Sequence, residues 1–192
     1  MRKLLRGSPF LRVVDLEGPS HETELPDEIE EMVHLQYLGV RWRLLKKVPS
    51  SIGNLGKLQT LDVRGTQVRK LPKSLWMTKT LRHVLGDGLA FPRTTGELKH
   101  MQTLETVTIN DTHSHTLCRP TGRRRKQSGL RFLQRLGIVH MENCKLEDLQ
   151  NLLMDLCYIE SLSLSGNPIP MALLVGAMLS AAGARLGQQL PI

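Results

Sequence analysis

Apolar residues recur along this chain at a fixed L-x-x-L-x-L spacing. Leu58, Leu61 and Val63 stand at positions 0, 3 and 5 of one unit, followed by Leu71-Pro72 at 13 and 14 and Leu75 at 17. Leu35, Leu38, Val40, Val48-Pro49 and Ile52 occupy the same positions 23 residues earlier. Further units open at Leu11 (with Val14 and Leu16), Leu81 (Val84, then Gly86), Leu104 (Val107, Ile109), Leu133 (Leu136, Ile138) and Ile159 (Leu162, Leu164). Their spacings are 24, 23, 23, 23, 29 and 26 residues, with the fourth unit the weakest match and the fifth carrying an insertion.

Positions 3 and 5 lie two apart, so on an extended strand their side chains point the same way. A lone strand cannot bury them. Strands stacked side by side in a parallel sheet can, with the returning half of each coil closing the other side. The period lies within the range of leucine-rich repeats. The pattern predicts an α/β fold: a right-handed leucine-rich-repeat solenoid of about seven coils with a parallel concave sheet. The return half begins at Leu25-Pro26, Val48-Pro49 and Leu71-Pro72, where proline fixes φ and cannot extend a central ladder. Ile29, Ile52 and Leu75 then turn inward on short helical turns. At position 8, where many such repeats use Asn, only Asn167 conforms; Arg43, Thr66, Leu89, Thr112 and Met141 predict less regular turns.

The phrases "LRVVDLEG", "LPDEI", "HLQYLGVRW" and "VPSSIGNLGKLQTLDVRGTQVRKLPKSLW" resemble the leucine-rich repeats of plant nucleotide-binding disease-resistance proteins, especially the coiled-coil class of grasses. The likeness covers roughly residues 1 to 170 and is most specific between Leu11 and Trp76. It implies a protein-recognition module of innate immunity that contributes to perception of pathogen effectors and restrains a nucleotide-binding switch domain. The chain lacks the G-x-x-x-x-G-K-[ST] of such a switch, "GNLGKL" from Gly53 having neither the gap nor the hydroxyl residue. The resemblance thus implies the receptor half without the switch half, as in a truncated receptor. A stand-alone cytosolic scaffold in small-GTPase-type signalling is the alternative.

Hydrophobic residues make up 40% of the 192, enough for a core, but aromatics only 4%, so leucine carries it. Three cysteines without paired short spacing point to reduced thiols rather than a secreted disulfide framework. Arg6, Gly7, Pro9 and Arg12 interrupt any signal-peptide core, which favours a cytoplasmic or nuclear location. The formal charge of +8 is local. Between Thr112 and Met141 stand seven Arg and Lys and no acid, whereas "HETELPDEIEE" near the start is strongly acidic.

The strand positions facing away from the core are 2, 4 and 6. They place Asp15, Glu17, Tyr37, Arg41, Thr60, Asp62, Arg64, His83, Asp87, Asn110 and Arg135 on the exposed concave face as candidate protein-binding residues. By the same count Thr106 and Thr108 join them. The insertion over 113–129 bears Arg123, Arg124, Arg125 and Lys126, a basic loop suited to an acidic surface, phosphate or nuclear import. It lacks interleaved aromatics for base stacking, so nucleic acid is not an expected partner. Asp111, His113, His115 and Cys118 match no familiar zinc spacing, and no metal or other cofactor is expected. Neither a nucleophile elbow nor a phosphate loop is present, so no enzyme is expected. The repeat domain spans 1–170. Residues 171–192, opening on the apolar "MALLVGAMLSAAGA", form an atypical tail or cap too short to span a bilayer.

Overall fold

The computed structural model describes residues 10–18, 21–90, 92, 98–109, 129–141, 156 and 158–165. Seven strands, β1 (Val13–Glu17), β2 (Tyr37–Arg41), β3 (Thr60–Val63), β4 (His83–Ala90), β5 (Thr103–Ile109), β6 (Arg135–Met141) and β7 (Ser161–Leu164), form one sheet in chain order. Every neighbouring pair is parallel. A parallel pair needs a crossover between its strands, and from β1 to β4 each crossover is the return half of one coil.

Proline starts the first three returns. Pro26, Pro49 and Pro72 sit at φ −69°, −70° and −66°, just before two 3-10 helices, Asp27–Glu31 and Ser50–Asn54, and a one-turn α-helix, α1 (Lys73–Trp76). These angles are the ones the pyrrolidine ring imposes anyway, so the turn is entered without conformational cost. Ile29, Ile52 and Leu75, three residues on, are fully buried, as the spacing predicts. Successive returns touch closely: a Cβ on Gly53 would lie 2.5 Å from Ser74 Cβ, while Ser74 Oγ donates to the Ser50 carbonyl at 2.7 Å. The acidic stretch near the N-terminus serves this stacking. Glu24 accepts from Lys47 (2.6 Å), Asp27 from Ser51 (3.1 Å) and Glu30 from Asn54 (2.5 Å), each one coil further on.

One backbone row fixes the register of the whole sheet. The N–H groups of Gln36, Gln59, Arg82, Gln102, Gln134 and Glu160 each donate to the carbonyl one coil earlier, on Arg12, Gln36, Gln59, Arg82, Gln102 and Gln134, at 2.7 to 2.8 Å. This row corrects the fifth unit, which opens at Met101 rather than Leu104. Leu104 pairs with Val84 and with Leu136, both at position 3, and Met101, 2% exposed, fills position 0. The fourth unit is therefore three residues shorter than the spacing suggested, and the fifth three longer.

The weakness of the fourth unit also has a physical reason. Gly86 stands opposite Val63 at the inward position 5 and leaves a gap. The buried side chain of Leu89 fills it, with Cδ1 2.6 Å from where a Gly86 Cβ would sit. Reaching that place bends the strand through Gly88 at φ +68° and shifts the β4–β5 register between Leu85 and Leu89. At position 8 of the third unit, buried Thr66 donates to the Val63 carbonyl (2.6 Å) and accepts from the Val68 N–H (3.3 Å), satisfying backbone groups an Asn would otherwise serve.

Leu61 is fully buried at the centre of the ladder, between Leu38 and Val84. Leu61→Ala is expected to destabilise the chain by about 2 to 5 kcal/mol, because the coils above and below cannot both close on the cavity. Urea unfolding followed by circular dichroism measures this, and a loss below about 1 kcal/mol would contradict the packing described.

Candidate functional site

The face of the sheet opposite the core carries the side chains at positions 2, 4 and 6. Alternation along each strand places them there, and the register aligns them into rows: Tyr37 beside Thr60, Thr60 beside His83, His83 beside Thr103, and Thr103 beside Arg135. In the next row Asp15, Gly39, Asp62, Leu85 and Glu105 are consecutive neighbours. Neighbouring strands lie roughly 4.8 Å apart, so this second row reaches about 19 Å from β1 to β5.

Charge on this face is organised around Arg41. Its guanidinium donates to Glu17 at 3.3 Å and Asp15 at 3.5 Å on the preceding coil, and lies 3.8 Å from Asp62 on the following one. Hydrogen bonding to Tyr37 first, then the charge of Asp15, holds the Arg41 pKa above its ordinary value. Asp62 in turn binds Arg64 three ways: Oδ1 accepts from the backbone N–H (3.1 Å) and Nε (3.0 Å), and Oδ2 from a terminal nitrogen (2.7 Å). Such a planar, bidentate pairing fixes the arginine's orientation as well as its charge. Burial raises the Asp62 pKa, but the hydrogen bonds and charge of Arg64, together with the charge of Arg41, outweigh it and leave it below the usual carboxylate value.

The sequence places Asp62 among exposed contact residues; in the structure its side chain is 0% exposed. It lies beneath two arginines that retain 34% and 48% exposure, so what meets solvent is Arg41 and Arg64. Gly39 is part of the same arrangement. A Cβ there would stand 2.5 Å from Asp15 Oδ1 and 3.1 Å from Tyr37 Cε1, so only glycine lets Asp15 reach across to Arg41. Asp87 acts partly on the loop below, accepting from the Gly65 N–H (2.6 Å), whose φ of +73° suits glycine.

The fifth strand contributes residues that the repeat count misses. Because Met101 opens the unit, Thr103 and Glu105 take positions 2 and 4. Thr103 is 8% exposed, with its Oγ1 3.0 Å from His83 Nδ1. The signal was in the sequence: "HMQTL" from His100 parallels "KLQTL" from Lys57, Gln for Gln. Asn110, the basic residues Arg123, Arg124, Arg125 and Lys126, and the histidines near them lie outside the described residues. Among the described residues no cluster of His, Cys, Asp and Glu is arranged to hold a metal, and no helix is long and apolar enough to cross a membrane.

A stack of parallel strands with proline-started returns and an uncovered polar face defines a leucine-rich-repeat solenoid. Residues 2–180 match the leucine-rich repeat region family, and the chain belongs to it. A stretch of 50 residues, 26% of the chain, is 46% identical to a protein of Arabidopsis thaliana named for disease resistance. The chain spans 6% of that protein's length. Among solved structures, an internalin of Listeria monocytogenes aligns over 91% of this chain and 72% of its own, at 13% identity and a TM-score of 0.30. That likeness is too loose to bear on the fold, which stands on the family match and the sheet itself.

Asp62→Asn removes the charge that orients both arginines and is expected to cost about 2 kcal/mol at neutral pH, the scale of a hydrogen bond to a charged group. Because the folded pKa of Asp62 is lowered, its contribution is complete above the unfolded value of about 3.9 and is lost as pH falls through the lower folded value. The gap between wild type and Asp62→Asn in urea unfolding should therefore narrow below about pH 4. A gap independent of pH would show that the carboxylate charge plays no part.

Proposed function

We propose that this chain is the recognition module of a plant innate-immune receptor, using the open face of its sheet to bind a protein: a pathogen effector or the nucleotide-binding domain of a resistance protein. The observation that carries this reading is the row of partly exposed charges from β1 to β3, held in fixed orientation by partners on adjacent coils. Side chains already fixed lose less conformational entropy on binding, and charges in fixed positions discriminate between partners. The similarity to a disease-resistance protein over 50 residues supports the immune setting. Binding a switch domain more tightly in its resting state than in its active state would bias it to rest, and an effector competing for the same face would release it. On this reading the module works in the cytoplasm, without cofactor or catalytic chemistry.

Two charge reversals separate this face from the rest of the surface. Arg41→Glu with Arg64→Glu is expected to weaken capture of an effector or a co-expressed nucleotide-binding domain by at least about tenfold, through like-charge repulsion. Lys79→Glu, exposed on the return half, should leave it unchanged. Biolayer interferometry against a panel of both ligand types measures the difference. Equal effects of the two changes, or no binding to either ligand type, would refute the proposal, and preference for a small GTPase would favour a stand-alone scaffold.

A further inference from the structure

The two halves of the open face differ in how their charges are balanced. From β1 to β3, each arginine has a carboxylate partner within the sheet: Arg41 has Asp15 and Glu17, and Arg64 has Asp62. On β6 the balance breaks. Arg135 is exposed, and among the described residues its side chain makes no ion pair or hydrogen bond. Its neighbour on β5 is Thr103 and the next on β4 is His83, so the three side chains follow one another along a single row.

We propose that His83, Thr103 and Arg135 form a site for an acidic side chain of the protein ligand, an Asp or Glu carboxylate; this deepens the recognition reading above and rests on it. Arg135 supplies a planar fork of N–H donors matched to a carboxylate. Thr103 is anchored from below by burial and sets the ring of His83 through the 3.0 Å contact between Oγ1 and Nδ1. With the Thr103 hydroxyl donating to Nδ1, the neutral ring carries its proton on Nε2 as a further donor. When the ring is protonated, Nδ1–H donates to Thr103 Oγ1 and Nε2–H remains in place.

The charges around His83 make the site proton-linked. Arg82 immediately precedes it in the chain, and its own strand presents Leu85 and Asp87 on the same face; β3 presents Thr60 and Asp62, β5 presents Thr103 and Glu105, and β6 presents Arg135. Asp62 is committed to Arg64, and Glu105 also interacts with Arg64. Burial first, then the charges of Arg82 and Arg135, keep the ring below its ordinary pKa. A carboxylate bound here offsets those two cations and favours the imidazolium. Binding therefore takes up a proton and tightens as pH falls.

The test uses the full chain, with Arg123, Arg124, Arg125 and Lys126 changed to Gln so that the basic segment does not bind the probe. The probe is a blocked tetraglutamate peptide, followed by NMR titration of the His83 imidazole. The peptide is expected to raise the His83 midpoint by at least about half a pH unit, and its affinity should increase by at least roughly twofold from about pH 7.5 to about pH 5.5. Arg135→Gln, a change at an exposed position, should abolish both effects, and a tetralysine peptide should produce neither. An unmoved midpoint, or an unchanged response in Arg135→Gln, overturns the proposal. Inorganic phosphate shifting His83 where tetraglutamate does not would also overturn it, since the site would then read phosphate. A protein ligand sensitive to reversal of Arg41 and Arg64 but indifferent to Arg135→Gln would remove this site and leave the recognition reading intact.

Discussion

Everything in this chain depends on one coil being laid on the next in a fixed register. The backbone N–H after each unit's opening residue donates to the carbonyl at the same place one coil earlier, and this row is unbroken from Arg12 to Glu160. No coil buries its own leucines. Leu38 is enclosed because Val14 and Leu61 lie on either side of it, and Leu61 because Leu38 and Val84 do. Full burial of each such side chain contributes about 1.5 to 3 kcal/mol, so the stability of a unit resides largely in its neighbours. The same register that closes the core also fixes which side chains meet on the opposite face.

That second consequence gives the chain its candidate function. A shift of one residue in β3 would send Asp62 inward and Leu61 outward. With the register held, Arg41 lies between carboxylates of the coils on either side and Asp62 lies beneath Arg41 and Arg64. Gly39 shows how far the arrangement constrains the sequence, since any larger residue would occupy the space through which Asp15 reaches Arg41. The face is thus balanced on its first three strands and carries on its sixth an arginine whose side chain is unpaired among the described residues, an asymmetry that gives a ligand a direction along the sheet.

Most of the fold was legible in the spacing of leucines, because position 3 and position 5 side chains have one place to go. Proline at position 14 or 15 marked the first three returns equally clearly, since its fixed φ starts a turn and its missing N–H stops a strand. The fifth unit was misread where apolar content and polar identity pointed in different directions. Leu104, Val107 and Ile109 imitate an opening triplet, while Gln102 aligns with Gln36, Gln59 and Gln134 and marks the true start at Met101. The candidate site was legible as a set of positions but not as an arrangement. Alternation predicts that Asp62 faces away from the core, yet its complete burial follows from arginines on its own and a neighbouring coil, which no pattern within one unit reveals.

The charges of the open face form one network across coils rather than separate solvated side chains. A double-mutant cycle on Arg41→Gln and Asp62→Asn, read by urea unfolding at neutral pH and low salt, tests it across the β2–β3 boundary. A coupling energy of about 0.5 to 1 kcal/mol between the two positions is expected, since one partner is buried and the other half-exposed. Additive effects, within about 0.3 kcal/mol, would contradict it and reduce the face to independent charges on a stacked scaffold.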